Sequence, residues 1–232
     1  MNQEEILLSI VIPVYNEELT IGNIIDRVKT AMRQTGLKNE IIVIDDRSYD
    51  KSLEIAKHHN IRLFTLNQHL GKGYALRVGF FKAKGDVIVT LDSDGSHKPE
   101  ELFEVLTPIL QEKADLVIGS RYLNHKSVDA RKLNVFGVGL FNSLIALLTG
   151  VIVTDSQSGY RAMKRQILKD QKLESGGYEI ESEMLVKTAK KNFRITEVPI
   201  SFQQRTYGRS GVDPVIDGFK ILLSIVSADV KG

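Results

Sequence analysis

Two aspartates one residue apart, Asp92 and Asp94, end the apolar run VIVTL and open the segment DSDGSHKPEE. On an extended chain their side chains leave the same side, roughly 6–7 Å apart at the backbone. Carboxylates held that close repel unless something positive lies between them. A hard divalent cation meets that need, taking oxygens from both acids and from a phosphate-bearing substrate. Gly95 leaves the approach open, and Pro99 with Glu100 and Glu101 reads as a helix start, proline first and acids in the first turn. The competing reading is a solvated turn after a strand. What separates the two is whether other polar clusters converge on the same place.

The elements around the pair bring them there. LLSIVIPV (Leu7–Val14), EIIVIDD (Glu40–Asp46), IRLFTL (Ile61–Leu66), DVIVTLD (Asp86–Asp92) and ADLVIGSRY (Ala114–Tyr122) read as strands. Helical stretches run between the first four: Leu19–Thr35 with Gly36 as a stop, then KSLEIAKHH and KGYALRVGFFKA. The strands are apolar throughout rather than alternating, so both sheet faces are covered. That pattern specifies an α/β fold with a Rossmann-like, mostly parallel central sheet and helices on both faces. Ligands of such sheets bind at the carboxyl ends of the strands, near the switch in strand order. YNEE, DDRSYD, DSDGSH and GSRY all fall at those ends, which favours a site over a solvated turn. The half after Tyr122 is less regular: a basic loop, a long apolar stretch, the cluster TDSQSGYR and the segment SFQQRTYGRSG. Its polar clusters have no core of their own, so it reads as part of one domain spanning residues 1–232.

Composition narrows the function. Apolar residues at 42% and charged residues at 26% mark a folded chain. A net charge of +2 gives no basis for a nucleic-acid partner. The lack of cysteine excludes disulfides and thiolate metal sites and suits a reducing cytosol. The start, MNQEEILL, has no basic n-region and does not read as a signal peptide.

In register with the strand ends, IVIPVYNEE, IIVIDDRSYD, NQHLGKGYALRVGF, VTLDSDGSHKPEEL, VIGSRY and DSQSGYRAM occur in the order found in family 2 glycosyltransferases of GT-A fold. Within that group the chain most resembles the dolichol-phosphate (polyprenol-phosphate) mannosyltransferases and their hexosyl relatives, from about residue 7 to about residue 211. The resemblance implies a nucleotide-sugar-binding half over residues 7–122 and an acceptor- and membrane-facing half over 123–232. It implies that Asp92 and Asp94 hold Mg²⁺ or Mn²⁺ with the nucleotide diphosphate. Pro13, Tyr15 and Glu17 would line the nucleoside pocket, with Asp46 reaching the base or ribose. Arg121, Arg205 and Arg209 would meet phosphate, and Asp94, Arg121 and Arg205 form the implied catalytic set. Tyr15 offers a stacking face, and Glu17 and Asp46 offer acceptors; the alternative for Glu17 is first-turn helix capping. Asp45 reads as the buried partner of Asp46.

Several positions depart from the resembled pattern or stay open. Arg47 stands at the usual glycine, so either that turn needs no positive φ or Arg47 extends toward the nucleotide. Ser96 stands where mannosyltransferases often carry glutamine, and Gly211 replaces a terminal lysine for which Arg209 is the candidate substitute. Gly71 and Gly73 permit a tight start to the next helix, while Lys72 reads as solvated, with contact to substrate as the alternative. His97 matches a family histidine or caps the following helix.

The acceptor decides what else is needed. Transfer to a hydroxyl requires a general base, usually a carboxylate. Transfer to a lipid phosphate does not, since the acceptor is already ionised; it requires cations to hold two anions together. Arg121, Arg131, Arg161, Arg205 and Arg209 suit the second case. Asp155 is the best remaining acid, as a base or as a structural partner to Arg161, with the structural role preferred. The expected activity is inverting, metal-dependent transfer of a hexose to dolichyl or polyprenyl phosphate, with mannose from GDP-mannose the first choice. Alternatives are a UDP-sugar donor (glucose or N-acetylhexosamine), a glycan hydroxyl acceptor, and a non-catalytic nucleotide-sugar-binding module. Residues 134–153 carry no charge over twenty positions, long enough to span a bilayer. A span would put the Asp155–Arg161 cluster across the membrane from Asp92, although the resemblance places them in one site. The stretch therefore reads as an interfacial helix, with Arg131 and Lys132 toward anionic headgroups and VIDGFKILLSIV as a second such helix, or as ordinary core. A peripheral enzyme at the cytoplasmic face of a membrane is the expectation.

Overall fold

The computed structural model describes residues 6–123, 132–203, 205, 211 and 213–231. One seven-stranded sheet runs in the order β3-β2-β1-β4-β6-β5-β7. Strands β1 (Leu7–Val14), β2 (Lys38–Asp45), β3 (Arg62–Thr65) and β4 (Val87–Thr90) pair in parallel. β6 (Arg161–Lys164) lies antiparallel between β4 and β5 (Leu116–Ser120), and β7 (Ile195–Pro199) joins β5 in parallel. The first five strands are where the apolar runs place them. β6 and β7 are additions that the sequence pattern does not announce.

The uninterrupted apolar strands bury both faces, as expected for a covered parallel sheet. On one side α1 (Ile21–Thr35) and α4 (Leu102–Leu110) pack Ile24, Ile25 and Leu106 against Leu8, Ile10 and Ile12. On the other, α3 (Lys72–Lys82), α5 (Lys132–Thr149), α7 (Ile180–Lys190) and α8 (Ile216–Lys231) cover Val11, Ile42, Ile88 and Ile118, while the short α2 (Ser52–Lys57) and α6 (Arg165–Asp170) follow β2 and β6. α1 stops at Gly36, which takes the left-handed φ of 68° that glycine permits at low cost. Pro99 opens a 3-10 turn over Pro99–Glu101 that leads into α4.

Strand order positions the site. From β1 the chain builds outward to β2 and β3, then returns to lay β4 on the other side. The carboxyl ends of β1 and β4 therefore flank a crevice at the switch point. Antiparallel β6 adds its amino end to the same edge, with Arg161 opposite Thr90.

α5 and α8 pack together over the sheet. The core reading holds for one face of this pair, and the other face is apolar and exposed. Ile145, Ile221 and Ile225 are buried, whereas Leu140, Leu147, Phe219, Leu223, Val226 and Val230 are exposed. Among the described residues, no helix is long and apolar enough to cross a membrane.

Candidate active site

At the end of β4 the Thr90 hydroxyl donates to the Gly159 carbonyl at 2.7 Å, and the Leu91 N–H reaches Val11 O. These bonds aim Asp92 into the crevice. Its Oδ1 lies 2.7 Å from Lys72 Nζ, which is also 2.9 Å from Glu181 Oε1. The expectation of a solvated Lys72 is corrected: the side chain is only 16% exposed and lodges between two carboxylates. Gly159 makes the room, since a Cβ there would stand 2.7 Å from both Lys72 Nζ and Asp92 Oδ2. Burial opposes charge on both groups, but their mutual attraction prevails. It holds the Asp92 carboxyl below its usual range and the Lys72 ammonium above its own.

Asp94 sits two residues on, its Oδ1 accepting the Ser96 N–H at 2.9 Å across Gly95, which adopts φ 79°. Ser96 thus enters the turn through its backbone. His97 is buried against Tyr160 and Phe202, with Nδ1 3.8 Å from Asp92 Oδ2. Burial lowers its pKa, so the ring is neutral. Neither ring nitrogen has a hydrogen-bond partner among the described residues, so His97 caps no helix.

The C-terminal segment folds back over this turn. His97 bridges Phe202, the Gln203 N–H donates to Ser96 O, and the Ser201 N–H donates to the Glu101 carboxylate. That course carries Arg205 to Glu17, where Nη2 donates to Oε1 at 2.6 Å. Burial pushes the Glu17 carboxyl up to about 7; Arg205 opposes the rise and Asp94 adds to it. Glu17 also accepts the Thr20 hydroxyl at 3.3 Å; helix α1 has no acid in its first turn and no side-chain cap, so the helix-capping reading of Glu17 does not hold. Pro13 ties the two strand ends through its carbonyl, which accepts the Ser93 hydroxyl at 2.8 Å.

Tyr15 is 37% exposed and stacks on His69, with ring centroids 3.9 Å apart. Asp46 is buried and bonds the N–H groups of Leu70 and Gly71 at 2.8 Å each, with His69 Nδ1 at 2.8 Å. Its carboxylate is thus engaged by its own chain, where it anchors the start of α3 and orients His69. Asp45 is buried beside it and accepts the Ser48 N–H. The turn after Asp46 does use a positive φ: Arg47 adopts 66° and is exposed. The reading that no positive φ is needed there is therefore overturned.

At the end of β5, Arg121 meets Asp155 as a fork, Nε to Oδ2 and Nη2 to Oδ1 both at 2.7 Å. The Arg121 backbone N–H adds a third bond to Oδ2. Asp155 is fully buried and its partner is Arg121, which corrects the expected pairing with Arg161. Arg161 is buried and spends its guanidinium on the carbonyls of Ser156, Ser158 and Glu181, behind the crevice. The Arg121 guanidinium also lies over the rings of Phe202 and Tyr122. Arg131 and Arg209 lie outside the described residues. Sequence reasoning missed Glu181 and His69 and preferred a solvated Lys72. One signal existed for Lys72: a cation at the first position of a helix opposes the helix dipole and needs a reason.

An acid pair at the switch point of a mostly parallel α/β sheet, with Lys72, Arg121 and Arg205 around it, makes the chain a glycosyltransferase of GT-A fold. The model of the family described as glycosyl transferase family 2 matches residues 9–171, and the chain belongs to that family. Among its relatives is the UDP-N-acetylglucosamine–dolichyl-phosphate N-acetylglucosaminyltransferase of Methanococcus voltae, 32% identical over 95% of each chain. Another is the dolichol-phosphate mannosyltransferase of Pyrococcus furiosus, 31% identical over 88% of this chain and 58% of that one. The fold is also that of glucosyl-3-phosphoglycerate synthase from Mycobacterium tuberculosis, solved with Mn²⁺, UDP and phosphoglyceric acid. The TM-score is 0.80 at 24% identity, over 97% of this chain and 79% of that chain.

Proposed function

We propose that the chain transfers a hexose from a nucleotide sugar to a polyprenyl phosphate with inversion at the anomeric carbon. One observation carries the acceptor reading: the crevice acids are already engaged while cations gather around them. Asp155 is committed to Arg121, Asp92 and Glu181 to Lys72, and Glu17 to Arg205. Among the described residues each of these four acids faces a cation, an arrangement that suits an acceptor ionised before it arrives. An acceptor phosphate oxygen bonds the anomeric carbon as the bond to the donor diphosphate breaks. The bonding pair leaves with the nucleoside diphosphate, and no proton moves.

Among the described residues no cluster of three or more acidic or histidine ligands forms, so the acid pair suits a divalent cation only with phosphate oxygens completing its shell. Asp94 keeps one oxygen outside its turn bond, Asp92 turns its second oxygen toward neutral His97, and Glu17 beside them is pushed toward protonation. Asp92 and Asp94 would hold Mg²⁺ or Mn²⁺, which would supply charge stabilisation to the leaving diphosphate. The complex of the structural neighbour with Mn²⁺ and UDP supports this reading. Arg121 and Arg205 steady the incoming anion. Tyr15 and His69 form the face for the base, held in place by Asp46. The exposed apolar stripe of Phe219, Leu223, Val226 and Val230 on α8 would meet the membrane surface where the lipid resides.

For the donor, we place UDP-N-acetylglucosamine ahead of GDP-mannose, because the relative named for the former is co-extensive with this chain. Incubation with each nucleotide sugar, Mn²⁺ and a polyprenyl phosphate tests donor and acceptor together. Lipid-linked sugar is the expected product. Transfer to a glycan hydroxyl alone, or no product from any donor, would overturn the reading.

A further inference from the structure

We propose that Lys72 is a positioning residue that makes metal binding depend on the nucleotide, because its ammonium occupies one oxygen of Asp92. The inference rests on the metal-dependent reading above. A lysine at the first position of α3 sits where the helix dipole disfavours a cation, and no acid lies in that first turn to offset it. The ammonium is held there by distant acids instead, Asp92 at 2.7 Å and Glu181 at 2.9 Å, with the Tyr178 ring 5.9 Å from Nζ.

The backbone below it cannot withdraw. Gly71 has its N–H fixed by Asp46 and φ at 93°, and Gly73 lies so close to residues 175–177 that a Cβ would fall 2.7 Å from Gly177 O. Asp92 therefore offers an incoming ion only its second oxygen, beside a fixed positive charge. A divalent cation alone is repelled there. The diphosphate of a nucleotide offsets that repulsion and supplies the missing oxygens. Metal and nucleotide consequently raise each other's affinity, and the coupling is reciprocal.

The test is Mn²⁺ binding followed by the electron paramagnetic resonance signal of the free ion, without nucleotide and with UDP or GDP. The wild-type chain should bind Mn²⁺ at least tenfold tighter with nucleotide. Lys72→Met should bind Mn²⁺ alone at least tenfold tighter than wild type, and its nucleotide coupling should shrink by a similar factor. A role limited to stability would leave that coupling unchanged. Unaltered or weaker Mn²⁺ binding by folded Lys72→Met, with wild type binding and coupling normally, overturns the inference alone. No Mn²⁺ binding by wild type with either nucleotide overturns the metal-dependent reading and the inference with it. Lys72→Met leaves Glu181 buried without its partner. If that variant fails to fold, Glu181→Gln decides the matter. It leaves the ammonium wholly to Asp92 and should weaken Mn²⁺ binding in the absence of nucleotide; equal or tighter binding overturns the inference.

Discussion

Two ion pairs in this protein share one geometry in two environments. Arg121 and Asp155 form a fork at 2.7 Å and 2.7 Å, and so do Arg27 and Glu100. The Asp155 side chain is 0% exposed, while that of Glu100 is 56% exposed. Asp155→Asn removes the charge and aims an amide donor at a guanidinium that is itself all donor. Breaking a buried pair from one side costs about 3–5 kcal/mol, because the surviving charge stays desolvated. For a domain of this size each kcal/mol moves the melting temperature by about 2–4 °C, so a fall of roughly 6–20 °C is expected. Glu100→Gln should cost at most about 1 kcal/mol, and less still at high salt. Thermal unfolding followed by circular dichroism, at low and high salt, compares the two directly. If Asp155→Asn melted no lower than Glu100→Gln, the assignment of Asp155 as the buried counter-ion of Arg121 would be wrong. A variant that melted normally yet lost turnover would restore Asp155 as a general base.

Other expectations follow from particular contacts. The Glu17 carboxyl ionises near 4.5 in the unfolded chain and near 7 when folded, so the folded state binds the extra proton between those values. Its contribution is fully present below pH 4.5 and is lost as pH rises toward 7; Glu17→Gln should flatten that part of a stability–pH curve, and an unchanged slope would refute the assignment. Arg47→Gly should raise the melting temperature by a few degrees, since about 1–2 kcal/mol of left-handed strain is partly offset by glycine's extra unfolded entropy. A lower melting temperature would show that the arginine side chain makes compensating contacts. Phe219→Glu with Leu223→Glu on the exposed face of α8 should abolish sedimentation with lipid vesicles while leaving the melt unchanged. Retained sedimentation would remove α8 from the membrane contact.

The sequence announced β1 to β5 because each is a continuous apolar run closed by a polar cluster. It hid β6, which is four residues long and opens with a buried arginine, so Arg161 reads as part of a loop. β7 was silent for another reason: this edge strand is only partly buried and has no apolar pattern. The acid pair was legible because its chemistry is local, two like charges on one side of a strand tip. Glu181 and the true partner of Asp155 were not legible, and Lys72 showed only as a cation set against its helix dipole. Their meaning lies in contacts between segments far apart in the chain, and one of those segments, α7, is a helix with Glu181, Glu183 and Lys187 all buried. No helical-face pattern reveals charges that are paired inside.

The most direct test is anomalous X-ray scattering from crystals soaked with Mn²⁺ and UDP or GDP. A manganese peak within ligand distance of the Asp92 and Asp94 carboxylates, contiguous with the diphosphate, is the predicted result. A nucleotide bound with no peak beside those two acids, or with its metal held elsewhere, would contradict the account.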